Sequence, residues 1–261
     1  MSEQQSLLQA VAEVAQRTGE AALTHFGSRL EVEQKPDGSP VTRADREAER
    51  VARAWLEARF PADGILGEEF GVTRAGARRR WLLDPVDGTK AFVKGVPLWG
   101  TLIAVVEGDE VLAGAIAFPV TGEVLAAARG QGAWRSGARL SVSQVGTLAA
   151  ATCVSTDLAF RDAPERGADW RALGEQGAVM RTWGDCFGYR MVAEGAAEAM
   201  TDMKLNPWDA AAVMVVVEEA GGVCFDWQGA HDWRGTHGLI ACNAQLAQPL
   251  RAALLSPRST S

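Results

Sequence analysis

The sequence has few cysteines and no close pair of them. The four cysteines lie far apart along the chain and form no CxxC motif. This spacing predicts neither a zinc site nor a disulfide framework, and it fits a reducing compartment. We therefore expect a cytoplasmic protein without disulfides among Cys153, Cys186, Cys224 and Cys242.

The chain also lacks an excess of positive charge and a long apolar run. Its 26 Lys and Arg face 33 Asp and Glu, so the net charge is −7 and leaves no electrostatic footprint for nucleic acid or an anionic membrane. The longest apolar run, 210–217, is too short for a membrane span, and residues 1–9 lack the pattern of a signal peptide. We expect no nucleic-acid or membrane partner, and an acidic substrate requires a local positive charge such as a divalent metal.

The N-terminal part begins with two predicted helices. A chain of 261 residues with 47% hydrophobic residues can bury a large core. Apolar residues at helical spacing predict a first helix that reaches Phe26 before Gly27. Thr42 begins a second helix that extends to about Arg59, with Asp45 as the partner of Thr42 in a capping box.

Short extended segments follow these helices. Apolar runs at 65–66 and 81–83 predict buried strands that end in acidic residues. An antiparallel meander is predicted over 98–107, 111–118 and 123–129.

The C-terminal part has an alternating pattern, which is typical of an α/β structure. We expect an N-terminal α+β half over 1–145 and a C-terminal α/β half over 146–261, together one compact unit. The predicted strands of the second half lie near 151–155, 179–183, 197–203, 222–226 and 238–242, and the helices near 168–176, 186–194 and 208–220.

Carboxylates cluster at the ends of three predicted elements. GEE follows the first strand at 67–69, DPVDGT follows the second at 84–89, and WDAA begins a helix at 208–211. Mg²⁺ binds through a few carboxylates together with water and substrate phosphate oxygens. Asp84 and Asp87 could share such ions.

The DPVDGT motif has features that suit such a site. Pro85 disfavours helix at Asp84, so the chain should bend there and aim Asp84, Asp87 and the Val86 carbonyl into one cavity. Gly88 lets the backbone approach an anion closely, and Thr89 adds a hydroxyl.

Each acidic feature alone has a simpler explanation. A DPxDG segment is most often a turn, and adjacent glutamates usually belong to a solvated loop. Asp209 could be a favourable charge in the first turn of a helix, and Asp45 a capping residue. The order of the motifs and their apolar flanks favour the metal site.

The three motifs together resemble those of the inositol monophosphatase-like superfamily of metal-dependent, lithium-sensitive phosphatases. The likeness covers WLLDPVDGT at 81–89, the GEE motif, WDAA followed by EAGG at 219–222, and Val41-Thr42 with Asp45. It implies a layered αβαβα sandwich, the fold of the inositol monophosphatases and fructose-1,6-bisphosphatases. It also implies a phosphomonoesterase of small molecules, and possible homodimers are a family-level expectation.

The resemblance further implies roles for single residues. Glu68, Asp84 and the Val86 carbonyl would hold a first Mg²⁺, and Asp84, Asp87 and Asp209 a second, with two or three ions per site. The metals would activate water and stabilise the leaving oxygen. The catalytic residues would be Glu68, Asp45 and Thr89, with Thr89 hydrogen-bonded to Asp45 so as to orient or deprotonate the water. The substrate phosphate would meet Asp87, Gly88, Thr89 and Asp209.

Two further segments resemble the histidinol-phosphate phosphatase branch. They are KAFVKG with the following PLWGTLIA over 90–104, and WGDCFGY over 183–189. L-histidinol phosphate carries an ammonium and an imidazole, so an extra carboxylate would favour it over a neutral polyol. Asp185 is our candidate for that partner, with Asp202 as a second acid. Asp185 could instead be the N-cap of a helix, and Cys186, Phe187 and Tyr189 could simply pack that helix.

Other functions stay open at this stage. Inositol 1-phosphate is one alternative substrate, and a 3′-phosphoadenosine nucleotide is another because Lys90 fits that branch as well. A protein of a different class, a catalytically silent binding protein, would retain the fold without turnover. The three histidines match no motif position, and we expect structural or surface roles for His25, His231 and His237.

Overall fold

The computed structural model describes residues 2–28, 32–34, 40–157, 159–160 and 163–255. Seven α-helices occur in these ranges. They are α1 (Glu3–Leu23), α2 (Arg43–Arg59), α3 (Thr89–Val93), α4 (Pro164–Glu175), α5 (Asp185–Ala193), α6 (Pro207–Glu219) and α7 (Ala247–Leu255).

The first two helices begin at side-chain caps. Ser2 caps α1 through a capping box with Gln5, and Thr42 caps α2 through the predicted box with Asp45. The end predicted for the first helix was too late. Regular helix stops at Leu23, and the N–H of Phe26 bonds to the Leu23 carbonyl in a following turn.

The larger sheet has eight strands and belongs to the N-terminal half. Its order is β10-β9-β8-β7-β6-β5-β3-β4, antiparallel except for β3 and β5, and β6, β7 and β8 form the predicted meander. A separate two-stranded sheet pairs β1 (Val32–Gln34) with β2 (Pro40–Thr42). The strands of the large sheet are β3 (Gly64–Gly67), β4 (Gly71–Thr73), β5 (Arg79–Asp87), β6 (Gly100–Glu107), β7 (Glu110–Phe118), β8 (Glu123–Ala128), β9 (Gly132–Arg135) and β10 (Ala138–Arg139).

Strand β5 corrects the prediction that the chain bends away at Pro85. The strand continues through the proline to Asp87, and its pairing with β6 becomes irregular between Asp84 and Asp87. Proline has no N–H for the ladder, so the interruption is local to the proline. The hydroxyl of Thr101 donates to the Pro85 carbonyl at 2.8 Å and secures this segment to β6.

The smaller sheet has five strands and belongs to the C-terminal half. Its order is β12-β11-β13-β15-β14, with β11 parallel to both of its neighbours and the other pairs antiparallel. The alternation of strands and helices predicted for this half is confirmed, although α4 begins at Pro164 rather than at 168, with the proline in its first turn. The strands are β11 (Thr152–Ser155), β12 (Val179–Arg181), β13 (Ala199–Asp202), β14 (Gly222–Phe225) and β15 (Leu239–Asn243).

The elements stack as five layers. Side chains of α1 and α2 pack on one face of the large sheet, where Trp81 and Leu83 point. Leu82 points to the opposite face and joins a core with α5, α6 and the small sheet. The other face of the small sheet packs against α4 and α7. The αβαβα sandwich is therefore confirmed, and the period of two along β5 explains how one strand serves two cores.

Across the ranges that the structure describes, every helix is too short or too polar to cross a bilayer.

Candidate active site

A cavity of about 220 Å³ lies where strand ends of the large sheet meet the beginnings of α5 and α6. Residues from all three acidic motifs line it. Because α6 belongs to the middle layer, residues distant in sequence share one space. The acidic residues that line it are Glu68, Asp84, Asp87, Asp185, Asp202 and Asp209.

Strands β3 and β5 present the first two carboxylates side by side. These strands are parallel neighbours, with Gly67 opposite Leu83, so Glu68 and Asp84 follow at the same edge. The N–H of Glu68 donates to the Leu83 carbonyl at 3.1 Å. The Asp84 carboxylate accepts from the Val86 N–H at 3.0 Å and is 3% exposed. Strand pairing thus places Glu68 and Asp84 next to each other.

Asp87 joins the large sheet to α5. Its carboxylate accepts the N–H of Cys186, in the first turn of α5, at 2.5 Å. Gly88 follows with φ of +84°, and a Cβ there would lie 3.0 Å from the Leu98 carbonyl and 3.3 Å from an Asp185 carboxylate oxygen. Both the backbone angle and the close approach require glycine at this position.

Asp209 both caps a helix and lines the cavity. Its carboxylate accepts the N–H of Asn206 at 2.7 Å and completes a capping box at the start of α6. It also lines the cavity. A capping role therefore does not compete with a place in the cavity, because both capping contacts from Asn206 end on one carboxylate oxygen, Oδ2.

Burial and mutual repulsion raise the pKa values of these carboxyls. The pKa of Asp84 is raised well above its ordinary range by burial and by Glu68, Asp87 and Asp209. The pKa of Asp87 is raised by burial and by Asp185 and Asp209. Burial raises the pKa of Asp209 to about 7, against the hydrogen bond from Asn206. A bound cation would relieve this repulsion.

The donor set fits a hard divalent cation, because every candidate ligand is an oxygen. The residues that could hold it are Glu68, Asp84, Asp87, Asp209 and the carbonyl of Val86. In the described part of the chain, no three His, Cys, Asp or Glu side chains are yet arranged as ligands of one ion. The Asp84 carboxyl instead shares hydrogen bonds with Glu68 and Asp209. A cation would replace these contacts between carboxyls.

The expected hydrogen bond between Thr89 and Asp45 is not formed. The Thr89 hydroxyl donates its one proton to the Val86 carbonyl at 3.0 Å. Asp45 accepts the N–H and the hydroxyl of Thr42 at 2.8 and 2.7 Å. Burial raises the pKa of Asp45, the Thr42 hydrogen bonds lower it, and Glu68 raises it further. Asp45 is thus a capping residue electrostatically linked to the acidic site.

Asp185 and Asp202 lie in the same cavity and are bridged by Thr156. The Thr156 hydroxyl accepts the N–H of Asp185 at 2.7 Å and is also hydrogen-bonded to the Asp202 carboxylate. Asp185 has φ of +51°, and the N-cap of α5 is Gly184, so the alternative interpretation of Asp185 as the N-cap is wrong. Burial raises the pKa of Asp202 to about 7.

Sequence reasoning missed several residues of this cavity. Tyr189 does pack in the core, yet its hydroxyl also donates to Asp202 at 3.0 Å. Thr156, Lys204 and Asn206 line the cavity as well. Thr156 directly follows a buried strand, and this position was the one available signal. The structural roles expected for two histidines are consistent with contacts of His25 to Glu47 and of His231 to Glu218.

The sequence is similar to a known protein family and to several of its members. The model of the inositol monophosphatase family matches residues 3–259. A histidinol-phosphatase of Chlorobaculum parvum is 43% identical over 95% of this chain and 96% of its own length. One of Mycobacterium tuberculosis is 40% identical over 89% of this chain and 92% of its own.

A more distant relative and a solved structure agree with that match. The inositol-1-monophosphatase of Mesorhizobium japonicum is 30% identical over 97% of this chain and 98% of its own. The structure of an inositol monophosphatase from Zymomonas mobilis superposes with a TM-score of 0.85 at 30% identity, covering 97% of this chain and 99% of that one. The chain belongs to the inositol monophosphatase family.

Proposed function

We propose that this phosphatase hydrolyses L-histidinol phosphate to L-histidinol and phosphate, with Mg²⁺ as its metal, and so serves histidine biosynthesis. The observation that carries the proposal is the pair of carboxylates, Asp185 and Asp202, held together by Thr156 within the acidic cavity. The relatives of Chlorobaculum parvum and Mycobacterium tuberculosis, both named histidinol-phosphatases, support it.

The two ends of this substrate differ in charge, and the cavity offers a partner for each. The phosphate end is an anion, which metal held by Glu68, Asp84, Asp87 and Asp209 would offset. The other end has an ammonium and an imidazole, which Asp185 and Asp202 would bind as charge-assisted hydrogen-bond acceptors. A neutral polyol would bring no cationic group to these half-buried carboxylates.

Bound Mg²⁺ would lower the pKa of a water and stabilise charge on the phosphate oxygens. The chain's own residues would hold the groups around it. Glu68 would accept a proton from the attacking water, and the Thr89 oxygen, fixed by its bond to Val86, would orient that water. As the water oxygen bonds to phosphorus, the ester P–O bond breaks, and the proton held by Glu68 passes to the leaving histidinol oxygen. The backbone at Gly88 and Thr89 approaches the phosphate, because glycine leaves no side chain in the way.

A second candidate substrate is inositol 1-phosphate. The similarity to the inositol-1-monophosphatase of Mesorhizobium japonicum favours it. The Asp202 carboxylate could also accept a hydrogen bond from a hydroxyl group as it could from an ammonium group. The nucleotide alternative has less support, since the charge of Lys90 acts on Asp185: burial raises the pKa of Asp185, and Lys90 opposes part of that rise.

Phosphate release across four esters tests the proposal. Purified protein is assayed with histidinol phosphate, inositol 1-phosphate, fructose 1,6-bisphosphate and 3′-phosphoadenosine 5′-phosphate, each with Mg²⁺ and with EDTA. We expect the highest kcat/KM for histidinol phosphate in the presence of Mg²⁺. We expect no phosphate release from any ester in EDTA. Preference for inositol 1-phosphate would select the second candidate. No release from any ester would identify a silent binding protein.

A further inference from the structure

Glu49 is a buried carboxylate that lies outside the cavity and contacts the turn that carries Glu68. It is on α2, one helical turn after Asp45, and its side chain is 0% exposed. Burying a carboxylate is costly unless the group is paired and hydrogen-bonded. The partners of Glu49 therefore indicate what its burial achieves.

Two consecutive backbone amides after Glu68 end on this one carboxylate. The N–H of Glu69 donates to Oε2 of Glu49 at 2.7 Å, and the N–H of Phe70 donates to Oε1 at 3.2 Å. The N–H of Glu68 itself donates to Leu83 on β5. The backbone of the turn is thus fixed on one side by the sheet and on the other by Glu49.

The same carboxylate fills the space where a side chain of Gly67, the residue just before the turn, would lie. A Cβ built on Gly67 would lie 2.0 Å from Oε1 and 2.8 Å from Oε2 of Glu49. No side chain fits at that distance without displacing Glu49. The glycine of the GEE motif is therefore required by the approach of Glu49.

Arg53 completes the arrangement from the next turn of α2. Its Nε donates to Oε1 of Glu49 at 2.7 Å, and its other nitrogens donate to the Thr73 hydroxyl and the Gly71 carbonyl at 2.8 and 2.5 Å. Arg53 thereby neutralises Glu49 and ties it to β4. Both ends of the hairpin turn are anchored to α2.

We propose that Glu49 is a positioning residue for cation binding. By fixing the amides of Glu69 and Phe70, it holds the turn so that Glu68 is presented beside Asp84 before any cation arrives. This inference rests on the proposed function, because it takes Glu68 as a metal ligand. Loss of a partner behind a metal ligand reduces metal affinity about 10- to 100-fold.

The test is Mg²⁺ titration by calorimetry with Glu49→Gln. The amide keeps the shape of the side chain but turns an NH₂ group toward donors on one side, so at least one turn amide loses its acceptor. We expect Mg²⁺ affinity to fall about 10- to 100-fold. At saturating Mg²⁺, the KM for substrate should stay near that of the wild type.

Asp63→Asn is the matched control for loss of a buried carboxylate. Asp63 is 7% exposed, accepts Nε of Arg79 at 2.7 Å and the Trp81 indole at 2.9 Å, and does not line the cavity. We expect it to lower the melting temperature without changing Mg²⁺ affinity. A structural role alone for Glu49 would make the two variants behave alike.

Gly67→Ala is the second variant, and it decides the matter if Glu49→Gln does not fold. It retains every charged group and displaces the Glu49 carboxylate, so it should weaken Mg²⁺ binding in the same way. If Glu49→Gln or Gly67→Ala folds and binds Mg²⁺ with wild-type affinity, the positioning role of Glu49 is overturned. Equal weakening of Mg²⁺ binding in Asp63→Asn would overturn it as well. Neither result would affect the metal assignment. A wild type that binds no Mg²⁺ would overturn the metal assignment and this inference with it.

Discussion

The backbone N–H of Cys186 donates a 2.5 Å hydrogen bond to the carboxylate of Asp87, across 99 residues of sequence. The first turn of a helix favours a negative charge, so α5 stabilises Asp87 in its ionised form. The residue before Cys186 is Asp185, the proposed partner of the substrate amine. One helix end therefore contacts a proposed metal ligand and carries a proposed specificity residue.

Asp84→Asn should reduce phosphate release by more than about 100-fold, the upper range for loss of a partner behind a ligand. Asn keeps the acceptor for the Val86 N–H, so the fold should persist. In EDTA the variant should melt at a higher temperature than the wild type, because burial and Glu68 disfavour the charged form of Asp84. Thermal melts and the phosphate assay measure both effects.

Asp226→Asn is the control for Asp84→Asn, since Asp226 is 2% exposed and accepts the Gln228 and Ala230 amides away from the cavity. It should leave turnover unchanged. Retained activity in Asp84→Asn would contradict the assignment of Asp84 as a ligand.

The melting temperature in EDTA should fall as pH rises from about 4 to about 7. Asp202 and Asp209 have folded-state pKa values raised from 3.8 to about 7, chiefly by burial. The folded protein then binds more protons than the unfolded chain in this window, so the free energy of unfolding decreases with rising pH.

Two comparisons isolate this effect from other titrating groups. Asp209→Asn should show a smaller fall over the same pH range, and excess Mg²⁺ should offset the fall by binding the deprotonated carboxylates. An identical pH profile for the variant and the wild type in EDTA would count against the raised pKa of Asp209.

Asp185→Asn should raise the KM for histidinol phosphate about 10- to 100-fold, as expected for loss of a hydrogen bond to a charged group worth ~1.5–3 kcal/mol. The KM for inositol 1-phosphate should change far less. Steady-state kinetics with both esters measure the difference. Asp157→Asn removes a nearby exposed charge outside the cavity and should affect neither ester. Equal effects of Asp185→Asn on both esters would remove its specificity role.

Thr89→Val should lower kcat about 10²- to 10⁴-fold, the usual contribution of a group that assists proton transfer. Valine keeps the branched shape but has no oxygen to orient water. The fall in kcat should persist at saturating Mg²⁺, which separates it from any change in Mg²⁺ affinity caused by loss of the hydroxyl's bond to the Val86 carbonyl. Thr89→Ser should restore most of the turnover, and a Thr89→Val enzyme with normal kcat would exclude the hydroxyl from the reaction.

Local sequence predicted much of the frame of this site. The capping box of Thr42 and Asp45 depends on residues three apart, and it forms as predicted. The strand before Glu68 could be placed for the same reason, since apolar runs followed by acidic residues are local signals. The path of β5 through Pro85 was not predicted, because its continuation depends on pairing with β6.

Contacts between distant segments could not be read from the chain. Nothing near Thr156 indicates that its hydroxyl meets Asp185 and Asp202, because three separate elements bring these groups together. The sequence likewise does not show that the Thr89 hydroxyl bonds to the Val86 carbonyl and not to Asp45, because this choice depends on where the side chain lies in the folded cavity.

The sequence by itself determined the family, the acidic motifs and the alternation of strands and helices from β11 to β15, because these depend on residue types at short spacing. It did not predict β1 and β2, which lie between the first two helices. Only the tertiary structure decided which carboxylates share a cavity, how far burial raises their pKa values, and why Gly67 must be glycine beside Glu49. These properties depend on distances across layers and on exclusion of water, which arise when the layers pack.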